Sequence, residues 1–168
     1  MSGEIVNKVA NSGLVNFDLE EHYPKGQRLL IDLKDWLFEG LILKEKDFRQ
    51  AVKDYDWSQH QDQHVTIDCS ADAIVPVWAY MLIASSLMPH AKTVVRGSLE
   101  QLECFLFQPI IMNLDVTPYK DKRVIIKGCS DLKIVEYAYI AITYKLRPVV
   151  KSIMYGEACS SVPIYKKK

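Results

Sequence analysis

Three of the four cysteines in this chain occur in the same dipeptide, cysteine followed by serine. The three pairs are Cys69-Ser70, Cys129-Ser130 and Cys159-Ser160, and each follows a short apolar run typical of a β-strand. If these strands are parallel members of one sheet, their carboxyl ends lie at one edge, where open α/β sheets bind ligands. The sequence therefore predicts that three thiols share one edge of a sheet.

Three thiolates suit a soft metal, because zinc and iron–sulfur clusters are both held by cysteine sulfur in proteins. A carboxylate near a thiol is a candidate for the remaining coordination position. Asp72 lies three residues after Cys69, and Glu157 lies two residues before Cys159. The predicted metal ligands are therefore Cys69, Cys129 and Cys159 with Asp72 and Glu157, and the predicted cofactor is an iron–sulfur cluster or zinc. The serine of each pair is expected to hydrogen-bond the sulfur or to cap the next helix.

Other functions stay open, because a buried cysteine often acts as a small apolar side chain. The sequence has no closely spaced CxxC pair, no GxSxG motif and no glycine-rich phosphate loop, so the common zinc-ribbon, hydrolase and nucleotide-binding signatures are absent. Whether the protein is an enzyme is thus undecided. The alternatives are a cysteine-dependent enzyme acting on a small substrate and a non-catalytic interaction module. Cys104, inside a helical pattern, is expected at a core or boundary position away from the site.

Composition narrows the class of protein. The chain has 168 residues and a formal net charge of zero, which predicts a single domain over residues 1–168 without nucleic-acid or anionic-membrane partners. No apolar stretch reaches the ~18–20 residues of a membrane span, and the first residues lack the order of a signal peptide. We therefore expect a cytoplasmic protein whose cysteines are reduced. A homo-oligomer is left open.

Strand and helix patterns alternate from His64 onward. Strands are predicted at 64–68, 93–96, 123–127 and 149–154, with helices between them, one opening at Ser98 in a capping box with Gln101. This order predicts an α/β fold of three layers, a mostly parallel sheet with helices on both faces. Two short runs, 14–18 and 28–33, are predicted to add an N-terminal β-hairpin.

A common doubly wound strand order would place the strands before Cys69 and Cys129 side by side. Their carboxyl ends would then lie ~4.8 Å apart, close enough for the two thiols to share a ligand. No internal repeat is expected from the sequence.

Several motifs carry a resemblance to a known family over nearly the whole length. The most specific are Ile126–Ser130 and Lys151–Ser160; others are Asp35–Leu41, Asp56–Ser58, Cys69–Pro76 and Gly97–Glu100. On these the chain resembles a bacterial family known as domain of unknown function 2480, which has no established activity to carry over. The resemblance implies encoding near iron–sulfur cluster assembly genes in some bacteria. It therefore favours iron–sulfur chemistry, a role accessory to cluster assembly, and assembly proteins as partners.

Overall fold

The computed structural model describes residues 13–128, 131–157 and 159–168 of the chain. Seven strands and four α-helices lie in these ranges, which confirms the α/β class. The strands are β1 Leu14–Phe17, β2 Arg28–Asp32, β3 His64–Asp68, β4 Thr93–Arg96, β5 Arg123–Ile126, β6 Ser152–Glu157 and β7 Ser160–Lys166. The helices are α1 Glu45–Asp54, α2 Val77–Leu87, α3 Leu99–Asn113 and α4 Glu136–Leu146. None of the helices in the described ranges combines the length and apolarity needed to cross a bilayer.

The strands form two mostly parallel sheets rather than one. The chain divides into two compact units. Unit 1, residues 1–24 and 104–168, holds the sheet β1-β5-β6-β7, and unit 2, residues 25–103, holds the sheet β2-β3-β4. The predicted single sheet is wrong in this respect, and β3 and β5, expected as neighbours, belong to different sheets. The single domain over 1–168 stays a prediction.

The predicted N-terminal hairpin is not formed, because its two strands join different sheets. β1 runs parallel to β5, with Phe17 beside Ile126, and β2 runs parallel to β3, with Ile31 beside Ile67. Each strand gains a parallel partner and packs into a separate core, which buries more apolar surface than an isolated two-stranded hairpin would.

The two units repeat one structural plan at an interval of 59 residues. The elements β3, α2 and β4 of unit 2 correspond to β5, α4 and β6 of unit 1, and α2 and α4 have the same length of 11 residues. Residues 59 apart in sequence are buried at the same place in the two cores. These pairs are Phe48 and Phe107, Val65 and Val124, Ala79 and Ala138, Ile83 and Ile142, and Leu87 and Leu146, all with 0% exposure.

The turns of the two units repeat as well. Asp62 and Asp121 both have left-handed backbone, with φ of 58° and 56°. Their N–H groups donate to the carbonyls of His90 and Val149, each over 2.9 Å. Agreement in burial, backbone angle and hydrogen bond shows that the chain contains an internal structural repeat. The expectation of no repeat is therefore wrong.

The first strands of the units correspond at a shorter interval of 14 residues. Asp18 follows β1 and Asp32 ends β2, and each carboxylate accepts a hydrogen bond from the backbone N–H two residues later, at 2.9 and 3.0 Å. Each thereby caps a short 3-10 helix, Leu19–His22 and Leu33–Trp36. Unit 2 is therefore inserted in the sequence between the first strand of unit 1 and the rest of that unit.

Candidate functional site

The three predicted thiols are divided between the two units, with Cys69 in unit 2 and Cys129 and Cys159 in unit 1. Cys69 directly follows β3 in unit 2 and is half-buried, whereas Cys159 lies between β6 and β7 in unit 1 and is exposed. Cys129 lies outside the described residues and follows Gly128 in the sequence. Because β3 and β5 are equivalent strands of two sheets, Cys69 and Cys129 follow corresponding strands. The prediction that these are neighbouring strands is wrong.

The candidate carboxylates divide in the same way, since Asp72 belongs to unit 2 and Glu157 to unit 1. Asp72 is exposed and Glu157 is half-buried. Within the ranges that the structure describes, no three His, Cys, Asp or Glu side chains are grouped as metal ligands would be. Cys104 is half-buried in α3, a boundary position as expected.

Three charged side chains mark the carboxyl edge of the parallel strands in unit 1. Asp18 follows β1, Lys127 follows β5, and Glu157 ends β6. Lys127 Nζ donates to Asp18 Oδ2 over 2.5 Å. This hydrogen bond lowers the pKa of the Asp18 carboxyl against the opposing effect of its burial. The same bond raises the pKa of Lys127, and the negative charge of Glu157 adds to that increase.

Glu157 differs from Asp18 and Lys127 in the hydrogen bonding of one carboxylate oxygen. Oε1 is buried and accepts no hydrogen bond from the described residues. Burying a polar atom without a hydrogen bond is costly, and most buried polar atoms in folded proteins are paired. An orphaned carboxylate oxygen at the carboxyl edge of parallel strands therefore marks a candidate position for binding a cation.

An aromatic pair lies beside the same edge. Gly128 leaves room for the ring of Tyr155, because a Cβ at Gly128 would lie 2.9 Å from Tyr155 Cζ. Tyr155 packs edge-to-face on Tyr139, with ring centroids 5.7 Å apart. These two rings, with Ile126 and Ile164 among the other lining residues, border a cavity of about 290 Å³. The backbone at Gly128 thus passes next to the ring of Tyr155.

The corresponding edge of unit 2 is organised by Asp32. Its carboxylate accepts from the backbone N–H of Ser70 over 3.0 Å and from the Ser70 hydroxyl over 2.5 Å. Burial alone would raise the pKa of Asp32, but these hydrogen bonds, with one from the Lys34 N–H, hold it below its usual value. Ser70 therefore fastens the loop after β3 to the end of β2.

The expected role of Ser70 as a sulfur or helix partner is not observed. Helix α2 begins seven residues after Ser70 with Pro76 at its N-cap and no side-chain cap. The Cys69 Sγ lies 3.8 Å from the Ala71 carbonyl and donates within its own loop. In the Cys69-Ser70 pair of unit 2, the serine thus has a structural role.

Sequence reasoning found Glu157 but missed Asp18 and Lys127. A signal for Asp18 existed, since Asp-Leu follows an apolar run at both 18–19 and 32–33. For Lys127 no signal existed, because its partner is 109 residues away in sequence.

Comparison with known proteins gives a family and no activity. A family model described as "Protein of unknown function (DUF2480)" matches residues 3–167. No curated protein matches the chain, and no solved structure matches it.

Proposed function

The chain belongs to the family of proteins of unknown function DUF2480, and we propose that it binds a soft metal ion or an iron–sulfur cluster at the carboxyl edge of unit 1. The proposed ligands are Cys129, Cys159 and Glu157. Because the family resemblance favours iron–sulfur chemistry, the cellular role that we propose is accessory to iron–sulfur cluster assembly.

The observation that carries this proposal is Oε1 of Glu157, which is buried and has no hydrogen-bond partner among the residues that the structure describes. A bound cation would satisfy this oxygen, and a carboxylate is an accepted partner of thiolates at zinc. Cys159 is two residues further along the same connection and its side chain is exposed, so a metal can reach this thiol from solvent.

The charge balance of the edge supports a thiolate site. A nearby ammonium favours the ionised form of a cysteine, which is the form that binds metal. Lys127 precedes Cys129 by two residues in the sequence, and its own charge is balanced by Asp18 at 2.5 Å. Lys127 is therefore a cation that can stabilise a thiolate, while its pairing with Asp18 limits the positive charge that would repel a bound metal ion.

Cys69 and Asp72 complete the larger ligand set predicted from the sequence, and both lie in unit 2. Ser70 and Asp32 supply a structural explanation for the loop that carries them. We therefore assign the proposed metal to the unit 1 residues Cys129, Cys159 and Glu157. The variants described in the Discussion distinguish this set from the larger one that includes Cys69 and Asp72.

Anaerobic purification with metal analysis and a visible spectrum tests the proposal. We expect iron or zinc bound to the wild-type protein, and we expect bound metal to slow alkylation of the thiols by iodoacetamide. A metal-free protein with one rapidly alkylated thiol near neutral pH would instead favour the cysteine-dependent enzyme. A metal-free protein with uniformly slow thiols would favour the interaction module.

A further inference from the structure

The internal repeat shows that one sheet edge lacks a strand that its counterpart has. In unit 1, β6 is covered by the antiparallel strand β7, which completes the order β1-β5-β6-β7. In unit 2 the corresponding strand β4 ends the sheet β2-β3-β4, and no strand in the described part of the chain pairs with its outer side. We propose that β4 pairs with β4 of a second copy of this chain, forming a two-fold symmetric dimer.

The outer side of β4 carries backbone groups suited to this pairing. The N–H groups of Thr93 and Gly97 point toward β3, donating to Gln63 and Ile67 over 3.4 and 3.0 Å. Because backbone groups alternate in direction along a strand, those of Val94 and Arg96 point away from β3. The equivalent residues of β6, Ile153 and Tyr155, lie opposite Tyr165 and Val162 of β7.

An open apolar groove accompanies this edge. It runs between α2 and β4, has a volume of about 420 Å³ and is lined by Ile67, Val77, Tyr80, Met81, Val94 and Val95 among others. Ile67, Tyr80 and Met81 correspond to Ile126, Tyr139 and Ile140 of unit 1 at the 59-residue interval. There the equivalent cavity is only about 290 Å³ and includes Ile164 from β7. The cavity that is bordered by the covering strand in unit 1 is thus the smaller of the two.

Exposed apolar side chains border the groove and the cavity next to it, which share Met81. Val77 is 73% exposed, Met81 65% and Met88 75%. At the first and last of these positions unit 1 has the charged residues Glu136 and Arg147. Adjoining exposed apolar side chains of this kind mark interaction surfaces in soluble proteins.

A second copy fits this edge because two-fold symmetry produces the antiparallel orientation that β6 and β7 already show. A two-fold axis between antiparallel edge strands is perpendicular to the sheet, so helix α2 of both copies lies on the same face. Placing Val95 opposite Val95 of the other copy sets Val94 opposite Arg96. No two positive charges are then directly opposed within the paired strands, which avoids the destabilisation of like-charge pairs. The result is a continuous six-stranded sheet.

Sedimentation of the 168-residue chain tests the dimer. The measurement covers protein concentrations of about 1–100 μM, a range that spans typical transient and stable association. We expect a particle of two chains for wild type. Met81→Lys should be monomeric, because the added charge would enter the covered groove. Ile140→Lys is the matched control, since Ile140 is 70% exposed at the equivalent position of unit 1, and it should remain dimeric. A monomeric wild type, or equal loss of the dimer in both variants, would overturn the proposal, provided circular dichroism shows both variants folded.

A cysteine introduced at the axis tests the register independently. Directly opposed residues of a non-hydrogen-bonded antiparallel pair have Cα atoms about 4.5 Å apart, within the range of a disulfide. On mild oxidation, Val95→Cys should therefore form an intermolecular disulfide between the two introduced thiols, detected by mass spectrometry of the linked peptides. Val94→Cys is the control, because its two copies would be diagonal neighbours, too far apart to join. A linkage formed by Val94→Cys and not by Val95→Cys would contradict this pairing.

Discussion

Lys127 and Asp18 are 109 residues apart in sequence, and their side chains meet over 2.5 Å between Nζ and Oδ2. The bond joins the ends of β5 and β1, two parallel neighbours in the sheet of unit 1. It therefore ties the first strand to a sheet whose other strands follow the whole of unit 2.

Asp18→Asn should destabilise the protein in a way that depends on pH. The lowered pKa of Asp18 stabilises the fold above 3.8, its ordinary value, and this contribution is lost as pH falls through the folded pKa. The raised pKa of Lys127 stabilises the fold below 10.5 and that contribution is lost as pH rises further. The difference in free energy of unfolding from wild type should be largest near neutral pH and shrink as pH falls below 3.8. Urea unfolding across pH measures it, with the exposed Asp35→Asn as control; a difference that persists at low pH would contradict the ion pair.

Ser70→Ala should cost about 1 kcal/mol of stability, because it removes a hydroxyl hydrogen bond to the Asp32 carboxylate. The pKa of Asp32 should rise, since burial would no longer be offset by that bond. An NMR titration of the Asp32 carboxyl measures the rise, and chemical denaturation measures the stability. Ser85→Ala, at an exposed position of α2, is the control and should change neither quantity. An unchanged Asp32 pKa in Ser70→Ala would show that the hydroxyl bond has no such effect.

Gly156→Ala should be more damaging than Gly40→Ala. Both glycines have positive φ, 120° and 69°, which costs a non-glycine residue about 1–2 kcal/mol. At Gly156 the new Cβ would also lie 2.5 Å from the Ser160 carbonyl oxygen, a backbone atom, whereas at Gly40 nothing lies within 4 Å. Thermal unfolding of the two variants compares them. Equal losses would mean that the β6–β7 connection yields to the added methyl group.

Leu87→Ala and Leu146→Ala should lose similar amounts of stability, because the two leucines occupy the same place in the two units. Both have 0% exposure, and truncating a buried leucine to alanine costs about 2–5 kcal/mol. The exposed controls Ile74→Ala and Tyr144→Ala, 95% and 84% exposed, should change stability by less than about 0.5 kcal/mol. A negligible effect at either leucine, measured by urea denaturation, would contradict the equivalence of the cores.

Local features of the fold could be read from the sequence, because they depend on neighbouring residues. The strands at 64–68 and 93–96 have the predicted bounds. The capping box also forms, since the Ser98 N–H donates to Gln101 Oε1 over 2.8 Å and the Gln101 N–H donates to Ser98 Oγ over 3.2 Å. The continuous apolar runs of β3 and β5 correctly indicated strands buried on both faces, whereas β4 has no fully buried residue.

Strand partners could not be read in the same way. Alternation of strand and helix is equally compatible with one sheet or two, and β1 pairs with β5 across more than 100 residues of sequence. The repeat has a weak signal in the sequence, since Pro89, Lys92 and Gly97 recur as Pro148, Lys151 and Gly156. The signal is weak because the residues between them preserve burial rather than identity.

For the candidate site, residue types indicated Glu157 and the thiols, but not which of them belong together. That Cys69 and Cys129 follow corresponding strands depends on matching β3 with β5, and this match requires the backbone turns as well as the sequence. The repeat thereby provides a natural control for every test of the metal, a cysteine that follows the corresponding strand of the other unit.

Metal content per chain after anaerobic purification of Cys129→Ser, Cys159→Ser, Glu157→Gln and Cys69→Ser is the most direct test of the proposed site. Serine keeps the size of cysteine but is a poor ligand for soft metals, so the fold should persist, which circular dichroism checks. We predict that Cys129→Ser and Cys159→Ser lose iron or zinc, that Glu157→Gln binds the metal more weakly, and that Cys69→Ser retains it. Loss from Cys69→Ser as well would support the three-thiol set instead of the unit 1 set. Equal, near-zero metal in wild type and all variants, under conditions in which a known cluster protein keeps its cluster, would contradict metal binding.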